Sequence, residues 1–254
     1  MRLNKFIAHN SSYSRREADA AIEKGFVRVN GEVVKELGTI INERRDKVFV
    51  SGKRVSPQEK YTVIVYNKPK GEIVSKNDPQ GRRTIYDSLS KEFRHFKPVG
   101  RLDFASEGLL LLSDASRVVT ALMDSKVERV YKLKIRGEVT PAMVKAMQEG
   151  LDLDDATAGA HPKSEITAMN FKPFLGFMVQ KSTPSNSVLK VAISEGQNRE
   201  LRRFFAHFKA EVSDLKRLSF AHISLNNLPT GKTRYLDKEE YSKLHKLLDE
   251  LGVV

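Results

Sequence analysis

Four consecutive leucines at positions 109–112 form the purest apolar run in the chain. The run is far too short to cross a bilayer, which takes about 20 apolar residues. It leaves no polar side to face water, and Ser113-Asp114 directly after it is a typical helix start. A short apolar run without alternation is typical of a strand that is buried on both faces. We therefore predict a central buried strand here.

The first 50 residues have the pattern of a small separate module. Apolar residues recur at helical spacing up to position 22, which predicts two short helices. Ser14, followed three residues later by Glu17, is the capping-box signature for the start of the second helix. Asn30-Gly31 lies between two short runs rich in valine and predicts a tight hairpin.

A polar segment that contains both Gly and Pro, residues 51–60, follows the module. This composition is typical of a linker; the alternative is a surface hairpin inside one domain. From residue 61 to 254 strand and helix patterns are mixed, which predicts an α+β domain. Besides the leucine run we expect strands at 62–66, 131–135, 164–170, 175–181 and 187–193, and helices after Ser113-Asp114 and at 141–147, 199–208 and 238–251.

The charge balance and the missing cysteine narrow the classes of function. Lys and Arg number 44 against 32 Asp and Glu, a net charge of +12. This favours a polyanionic partner, because a cation against a phosphate displaces a condensed counterion, although a basic protein without such a partner would look the same. With no cysteine in the chain, disulfides, Cys-ligated zinc and thiolate catalysis are excluded.

Metal, membrane and secretion signals are also lacking in the sequence. The six histidines show no close spacing of metal-ligand type, so we expect no metal site. The first residues contain no apolar core of signal-peptide length. We therefore expect a cytoplasmic protein without a membrane partner.

One candidate for chemistry is the carboxylate of Asp103, which lies between Gly100 and Gly108, just before the leucine run. Catalytic groups are often carried by loops that rigid strands hold in place. Arg101 is close enough in sequence to help keep the carboxylate ionised. Taken alone, however, an Asp in a loop is more often a turn or capping residue.

A second candidate segment runs from Glu195 to Arg203. A predicted strand ends, Gly196 turns the chain, and a helix opens with three arginines, at 199, 202 and 203. An arginine-rich helix start suits phosphate binding through both the helix dipole and the side chains. A solvated basic helix face explains the same pattern equally well.

Taken together, the motifs of the chain resemble those of one family. The segments are Asn67-Lys68-Pro69-Lys70-Gly71, Gly100-Arg101-Leu102-Asp103 with residues 107–112, Val130-Tyr131-Lys132-Leu133, and residues 195–203. In this order they resemble the bacterial ribosomal RNA pseudouridine synthases of the RsuA and RluB branch. Residues 2–50 resemble the alpha-L RNA-binding motif of a small-subunit ribosomal protein, in Ser14-Arg15-Arg16-Glu17-Ala18 and Val27-Arg28-Val29-Asn30-Gly31.

The resemblance implies a fold and an activity. The fold is α+β: an alpha-L RNA-binding module over 1–50, a linker over 51–60, and a mixed, mainly antiparallel-sheet catalytic domain over 61–254. The activity is isomerisation of uridine to pseudouridine in ribosomal RNA. Gly71-Glu72 with residues 77–82, and Asn198-Arg199-Glu200 where other branches carry a His-Gln pair, favour the large-subunit RluB type. Ala105 departs from the family, which usually has a polar residue there, often Asp or Asn; we expect a looser loop with the chemistry intact.

The resemblance also assigns roles to residues. It implies that Asp103 is the catalytic carboxylate, that Arg202 is its ion-pair partner, and that Tyr131 stacks on the uracil and moves a proton. Packing of Tyr131 in the core is the structural alternative. We predict substrate binding at Lys68, Arg101, Asn198, Arg199 and Arg203. For Lys68 and Arg101 the expected role is either phosphate binding or support of the loop. We predict RNA contacts of the module at Arg15, Arg16 and Arg28.

The reaction that the resemblance implies is redox-neutral, so it requires no cofactor and no metal. The expected partner is ribosomal RNA, and the expected state is a monomer. Three alternatives stay open at this point. They are a non-catalytic RNA-binding ribosome-assembly factor on the same fold, a synthase that acts on small-subunit ribosomal RNA, and a hydrolase in which Asp103 activates water.

Overall fold

A computed structural model describes residues 1–57 and 60–253. Its helices are α1 (Leu3–Asn10), α2 (Arg15–Glu23), α3 (Ile85–Ser88), α4 (Ser116–Asp124), α5 (Pro141–Glu149), α6 (Glu200–His207) and α7 (Lys238–Glu250). Its strands are β1 (Val27–Val29), β2 (Glu32–Val34), β3 (Val48–Val50), β4 (Lys53–Val55), β5 (Val63–Lys68), β6 (Lys97–Pro98), β7 (Glu107–Ser113), β8 (Arg129–Arg136), β9 (Leu151–Leu153), β10 (Met169–Phe171), β11 (Gly176–Ser182), β12 (Asn186–Ile193), β13 (Val212–Phe220), β14 (Ile223–Ser224) and β15 (Thr233–Tyr235).

The module predicted for the first 50 residues has its own core. Helices α1 and α2 lie beside an antiparallel sheet of order β2-β1-β3-β4, and both contribute to one apolar cluster that includes Leu3, Phe6, Ile22 and Val48. The capping box of Ser14 and Glu17 is present. The hairpin at Asn30-Gly31 is confirmed as well, because β1 pairs with β2 across it.

The linker prediction over 51–60 is wrong for its first half. Strand β4 pairs with β3, so residues 51–55 complete the module's sheet as a hairpin. This is the surface hairpin that stood as the alternative. The hairpin forms because Val55 supplies an apolar side chain to the module core, where it is 8% exposed. The module therefore extends at least to Val55. Residues 58 and 59 lie outside the described residues, and the domain boundary at 61 stays a prediction.

The module contacts the larger unit through the C-terminal end of α1. The carbonyl of Ala8 accepts hydrogen bonds from Lys97 Nζ at 2.9 Å and from Ser116 Oγ at 3.0 Å. Carbonyls in the last turn of a helix lack partners within it, so these two donors satisfy one of them. Burial lowers the pKa of the Lys97 ammonium, because the buried cation loses contact with water. The hydrogen bond to the Ala8 carbonyl replaces part of this lost solvation.

The larger unit is built on one sheet with the order β11-β12-β8-β13-β7-β5-β15; β14 pairs with β13, and β6 with β7. Neighbouring strands are antiparallel except β7 and β13, which run parallel. This agrees with the mixed, mainly antiparallel sheet that was predicted. Residues 109–112 lie within β7, buried near the middle of the sheet, so the prediction of a central buried strand is confirmed.

The four leucines serve two separate cores. Leu110 and Leu112 belong to the cluster that includes side chains of α5 and α6, whereas Leu109 and Leu111 belong to the cluster that includes side chains of α4 and α7. Alternate side chains of a strand point to opposite faces. An apolar run without alternation is therefore what a strand needs when helices cover both of its faces.

Two local predictions are wrong. The strand expected at 164–170 is limited to Met169–Phe171. Its first part is instead held as a loop, because the guanidinium of Arg203 binds the Ile166 carbonyl and the Ser164 hydroxyl. The helix after the leucine run has Ala115 at its cap, and Asp114 accepts a hydrogen bond from the Thr62 amide at 2.8 Å. Among the described residues, no helix is both long and apolar enough to span a bilayer.

Gly108 allows β7 and β13 to approach closely. Its φ is +104°, in the region that favours glycine. A Cβ atom there would lie 2.3 Å from the carbonyl oxygen and 2.7 Å from the amide nitrogen of Arg217 on β13. Both are backbone atoms of a central strand and cannot swing away. The parallel pairing of β7 with β13 thus depends on a residue without a side chain.

We expect Gly108→Ala to lower the free energy of unfolding by at least ~2 kcal/mol more than Gly231→Ala does. Gly231 has a φ of +76° with nothing within 4 Å of the added Cβ, so the two substitutions share the backbone strain and differ in the clash. Urea denaturation of both variants measures the difference. Equal losses would show that the sheet can shift to accept the methyl group.

Candidate active site

The loop that carries Asp103 is held in place by the buried ammonium group of Lys68. Lys68, the last residue of β5, is fully buried, and its Nζ donates to the carbonyls of Pro69, Asp103 and Ser106 at 2.9, 3.2 and 2.9 Å. Burial lowers the pKa of Lys68 to about 8. With its three N–H groups directed at carbonyls, Lys68 supports the loop, which is one of the two roles that were predicted for it.

Asp103 lies at the junction of this loop with the start of α6. Its side chain is 35% exposed, and Oδ2 lies 3.1 Å from Arg199 Nη1 and 3.5 Å from Arg202 Nε. The structure thus brings Asp103 to the predicted partner Arg202 and adds a second, closer arginine. Both come from the N-terminal end of α6, where the helix dipole also favours a negative charge.

Arg202 also ties the loop to β13. Its Nη1 donates to the carbonyl of Val212 at 2.8 Å, and its Nη2 lies 3.2 Å from Ser106 Oγ and 3.4 Å from the carbonyl of Ala105. Burial lowers the pKa of the Arg202 guanidinium, and Asp103 acts in the opposite direction. Ala105 takes part through its backbone, while its side chain is exposed.

A pocket of about 200 Å³ opens beside the carboxylate. Asp103, Arg101, Arg199 and Tyr131 all line it. Tyr131 is only 7% exposed and also belongs to a core cluster, so its ring packs against the core and faces the pocket at once. The pocket therefore brings an anionic carboxylate, cationic side chains and an aromatic ring to one small volume.

Three side chains of the pocket were missed by the sequence analysis. Arg129 and Arg217 place their guanidinium carbons 4.9 and 5.5 Å from the ring centre of Phe220. Arg217 lies beside Tyr131 in the sheet register, and its Nε donates to the carbonyl of Leu109. Among the described residues, its buried Nη2 has no hydrogen-bond partner. The available signal was the strand alternation that puts position 129 on the same face as Tyr131.

The other predicted substrate-binding residues divide into two groups. Arg101 is exposed at the pocket rim and Arg199 lines the pocket, so both are within reach of a ligand. Arg203 is fully buried, and its Nη1 donates to the carbonyls of Ala156 and Ile166 at 2.7 and 2.9 Å. The prediction that Arg203 binds substrate is therefore wrong. Exposed Asn198 accepts a hydrogen bond from Arg203 at 3.3 Å through Oδ1.

The arginines predicted to contact RNA lie on the surface of the module. Arg15, Arg16 and Arg28 are all exposed, and Arg28 Nη1 donates to the Gly31 carbonyl at 3.0 Å.

No metal centre is visible in the described part of the chain, because no group of three His, Asp or Glu side chains there is arranged to hold a metal ion.

Comparison with known proteins gives a consistent result. Residues 62–207 match the family described as RNA pseudouridylate synthase, and residues 1–48 match the S4 domain. The chain is 50% identical over 250 residues to an uncharacterized RNA pseudouridine synthase of Helicobacter pylori, covering 98% of this chain and 95% of that protein. It is 33% identical over 250 residues to the ribosomal large subunit pseudouridine synthase B of Bacillus subtilis, covering 98% and 97%.

A solved structure agrees with this result. The crystal structure of a pseudouridylate synthase matches with a TM-score of 0.62 and 27% identity, covering 97% of this chain and 99% of that one.

One wall of the pocket carries a buried carboxyl group, that of Glu200. It is 5% exposed, and Oε2 accepts a hydrogen bond from the Gln197 amide at 2.9 Å. Burial raises its pKa to about 7; Glu195 adds to the rise, while the Gln197 amide and Arg129 oppose it. The folded state therefore holds the carboxyl proton of Glu200 more tightly than the unfolded chain does. The contribution of this proton to the free energy of unfolding is complete below pH 4.5 and is lost as the pH rises through about 7.

We expect Glu200→Gln to remove this dependence, since the amide has a similar shape, can accept the same hydrogen bond and does not titrate. Relative to the wild type, the variant should gain stability between pH 5 and pH 8, on the order of 3 kcal/mol. Urea denaturation across this range measures the gain. Glu149→Gln, at a side chain that is 66% exposed, serves as the control and should show no such trend. Parallel pH profiles for wild type and Glu200→Gln would contradict the raised pKa.

Proposed function

This chain belongs to the RNA pseudouridylate synthase family, and we propose that it isomerises specific uridines of large-subunit ribosomal RNA with Asp103 as the catalytic carboxylate. The observation that carries the proposal is the half-buried carboxylate of Asp103, paired with Arg199 and Arg202 at a pocket that Tyr131 lines. Similarity to the Bacillus subtilis large-subunit enzyme over nearly the whole chain favours large-subunit over small-subunit RNA.

The reaction sets clear requirements for the site. The bond from N1 of uracil to C1′ of the ribose breaks, the base turns, and a bond from C5 to C1′ forms. The proton on C5 is removed, and N1 gains one, so the change is redox-neutral. The site must therefore supply an anionic group, a surface on which the base can turn, and a route for a proton.

Asp103 supplies the anionic group. It acts on the ribose or on the uracil ring, and for either it must stay charged while the bound base excludes water. Ion pairs at 3.1 and 3.5 Å to two arginines place positive charge beside the carboxylate and fix its direction. Arg202 is fixed in turn by its bonds to the loop and to β13, so it acts as the more rigid of the two.

Tyr131 and Arg217 supply the contacts to the base. The ring of Tyr131 lines the pocket and stacks on the uracil, and its hydroxyl is available to move a proton. Arg217 Nη2, which has no hydrogen-bond partner within residues 1–57 and 60–253, can donate from the same wall to an oxygen of the bound nucleotide. A buried donor without a partner costs about 1–3 kcal/mol, which such a bond would recover on binding.

The target base must leave its helix to enter a pocket of this size, at a cost of a few kcal/mol. Arg101, which is exposed at the rim, contacts the neighbouring phosphates in this proposal. The N-terminal module adds affinity through Arg15, Arg16 and Arg28, because tethering two weak sites raises the effective concentration of each. We further propose that the enzyme acts as a monomer in the cytoplasm, where ribosomal RNA is available.

Asp103→Asn is expected to abolish the activity. The side chains have nearly the same size, so the fold and the RNA affinity should survive, but the amide is neutral. Enzymes typically gain at least ~8 kcal/mol over the uncatalysed reaction, and here that gain depends on the carboxylate. Long incubation of excess variant with large-subunit and small-subunit transcripts, followed by mapping of pseudouridine, measures the effect.

The wild type should modify the large-subunit transcript and Asp103→Asn neither transcript. The control is Asp249→Asn, at an exposed residue of α7, which should keep the wild-type rate. Pseudouridine formation by Asp103→Asn at a rate near that of the wild type would contradict the mechanism proposed for this carboxylate. Modification of the small-subunit transcript by the wild type would contradict the substrate assignment only.

Tyr131→Phe separates stacking from proton transfer. The ring remains, so RNA affinity should change less than about twofold. If the hydroxyl moves a proton, single-turnover pseudouridine formation should slow by about 10²-fold or more. A single-turnover rate equal to that of the wild type would leave Tyr131 as a stacking residue without a part in proton transfer.

A further inference from the structure

Three lysines lie side by side across the large sheet. In the strand register, Lys190 on β12 is opposite Lys132 on β8, and Lys132 is opposite Lys216 on β13. Residues in register on neighbouring strands point to the same face, about 4.8 Å apart. Like charges directly opposite each other destabilise a sheet. This lysine row (Lys132, Lys190 and Lys216) therefore works against the stability of the fold.

One carboxylate is near the row but makes no ion pair with it: Glu107 on β7 is opposite Lys216 in the strand register. Among the described residues, no carboxylate lies within 4.0 Å of any of the three amines. The neighbouring position on β8 differs: Lys134 is opposite Asp214 in the register, and Asp214 in turn pairs with Lys70 at 2.7 Å. At the level of the row, in contrast, three lysines are neighbours on three successive strands before Glu107 follows on the fourth.

The row lies on a part of the sheet that helices leave open. On this face, side chains of α4 and α7 pack over β5 and β7, whereas Lys132 and Lys190 are exposed. A shallow concavity of about 620 Å³ runs between the row and the end of β14, where Ser224, Leu225 and Asn226 form one wall. Glu128 also lines it, so the concavity holds three cationic side chains and one carboxylate. Tyr131 and Arg217 alternate with the lysines along β8 and β13, so the catalytic pocket is on the other face.

We propose that the lysine row binds backbone phosphates of the ribosomal RNA outside the segment that enters the catalytic pocket. The identity of the anion rests on the proposed function. The argument for a polyanion is the spread of the charges: across three strands they cover about 10 Å, which fits successive phosphates of one strand and exceeds the reach of a single small anion. RNA bound here is held on one face of the sheet while its target base is turned on the other.

The test compares two triple substitutions that remove the same charge. The variant Lys132→Gln, Lys190→Gln, Lys216→Gln is matched with Lys145→Gln, Lys172→Gln, Lys246→Gln, at three exposed lysines outside the row. Binding to a long large-subunit RNA fragment is measured over a range of salt concentrations. For the row variant we expect at least about tenfold weaker binding near physiological salt, and a log–log salt slope that is smaller by about 2–3, the value for three lost phosphate contacts.

Equal affinities and salt slopes for the two triple variants would overturn the inference. The row variant should melt no lower than the wild type, because it removes repulsion between lysines; a lower melting temperature would contradict the unfavourable row from which the inference starts. Binding is read without reference to modification, so the two proposals can fail separately. If the wild type made no pseudouridine while the row variant still bound more weakly, the proposed function would fall and the RNA surface would remain.

Discussion

One buried ammonium group holds the loop on which the site depends. Lys68 Nζ is directed at the carbonyls of Pro69, Asp103 and Ser106, in a position fully removed from solvent. The burial of a cation is unfavourable, and here carbonyl dipoles together with nearby carboxylates, including that of Asp103, offset part of the penalty. Lys68 fixes the backbone of Asp103, and the arginines of α6 fix its carboxylate. Backbone and side chain are thus held by separate cations.

Those parts of the fold whose signal is local were predictable from the sequence. The leucines of β7 lack any polar alternation, the Ser14 capping box satisfies a helix start within four residues, and Asn30-Gly31 fits a two-residue turn. Each of these features depends on neighbours in the chain. The proximity of Asp103 to Arg202 was predictable in a different way, through resemblance, since 99 positions separate the two in the sequence.

The missed parts depend on contacts that no short window contains. Strand β13 has no clean alternation, because bulges near Ser213 and Leu218 interrupt its register with β8, and so it was not predicted. Because β13 was not predicted, the position of Arg217 and its close approach to Gly108 were missed as well. For Arg203 the residue type misled: a basic helix start suggested a phosphate site, yet this guanidinium is enclosed by carbonyls of a loop about 40 residues earlier. Burial of a cation can be read from structure and not from composition.

The parallel pairing of β7 with β13 also sets an order of folding. Arg217 reaches the Leu109 carbonyl across 108 residues of chain, and Arg199 reaches Asp103 across 96. Contacts of such separation form late, because the entropy of closing a long loop must be overcome first. The core of the N-terminal module, in contrast, is closed within residues 3–55. During synthesis, a nascent chain can therefore carry a folded RNA-binding module well before it has an active site, and the enzyme acquires its affinity before its chemistry.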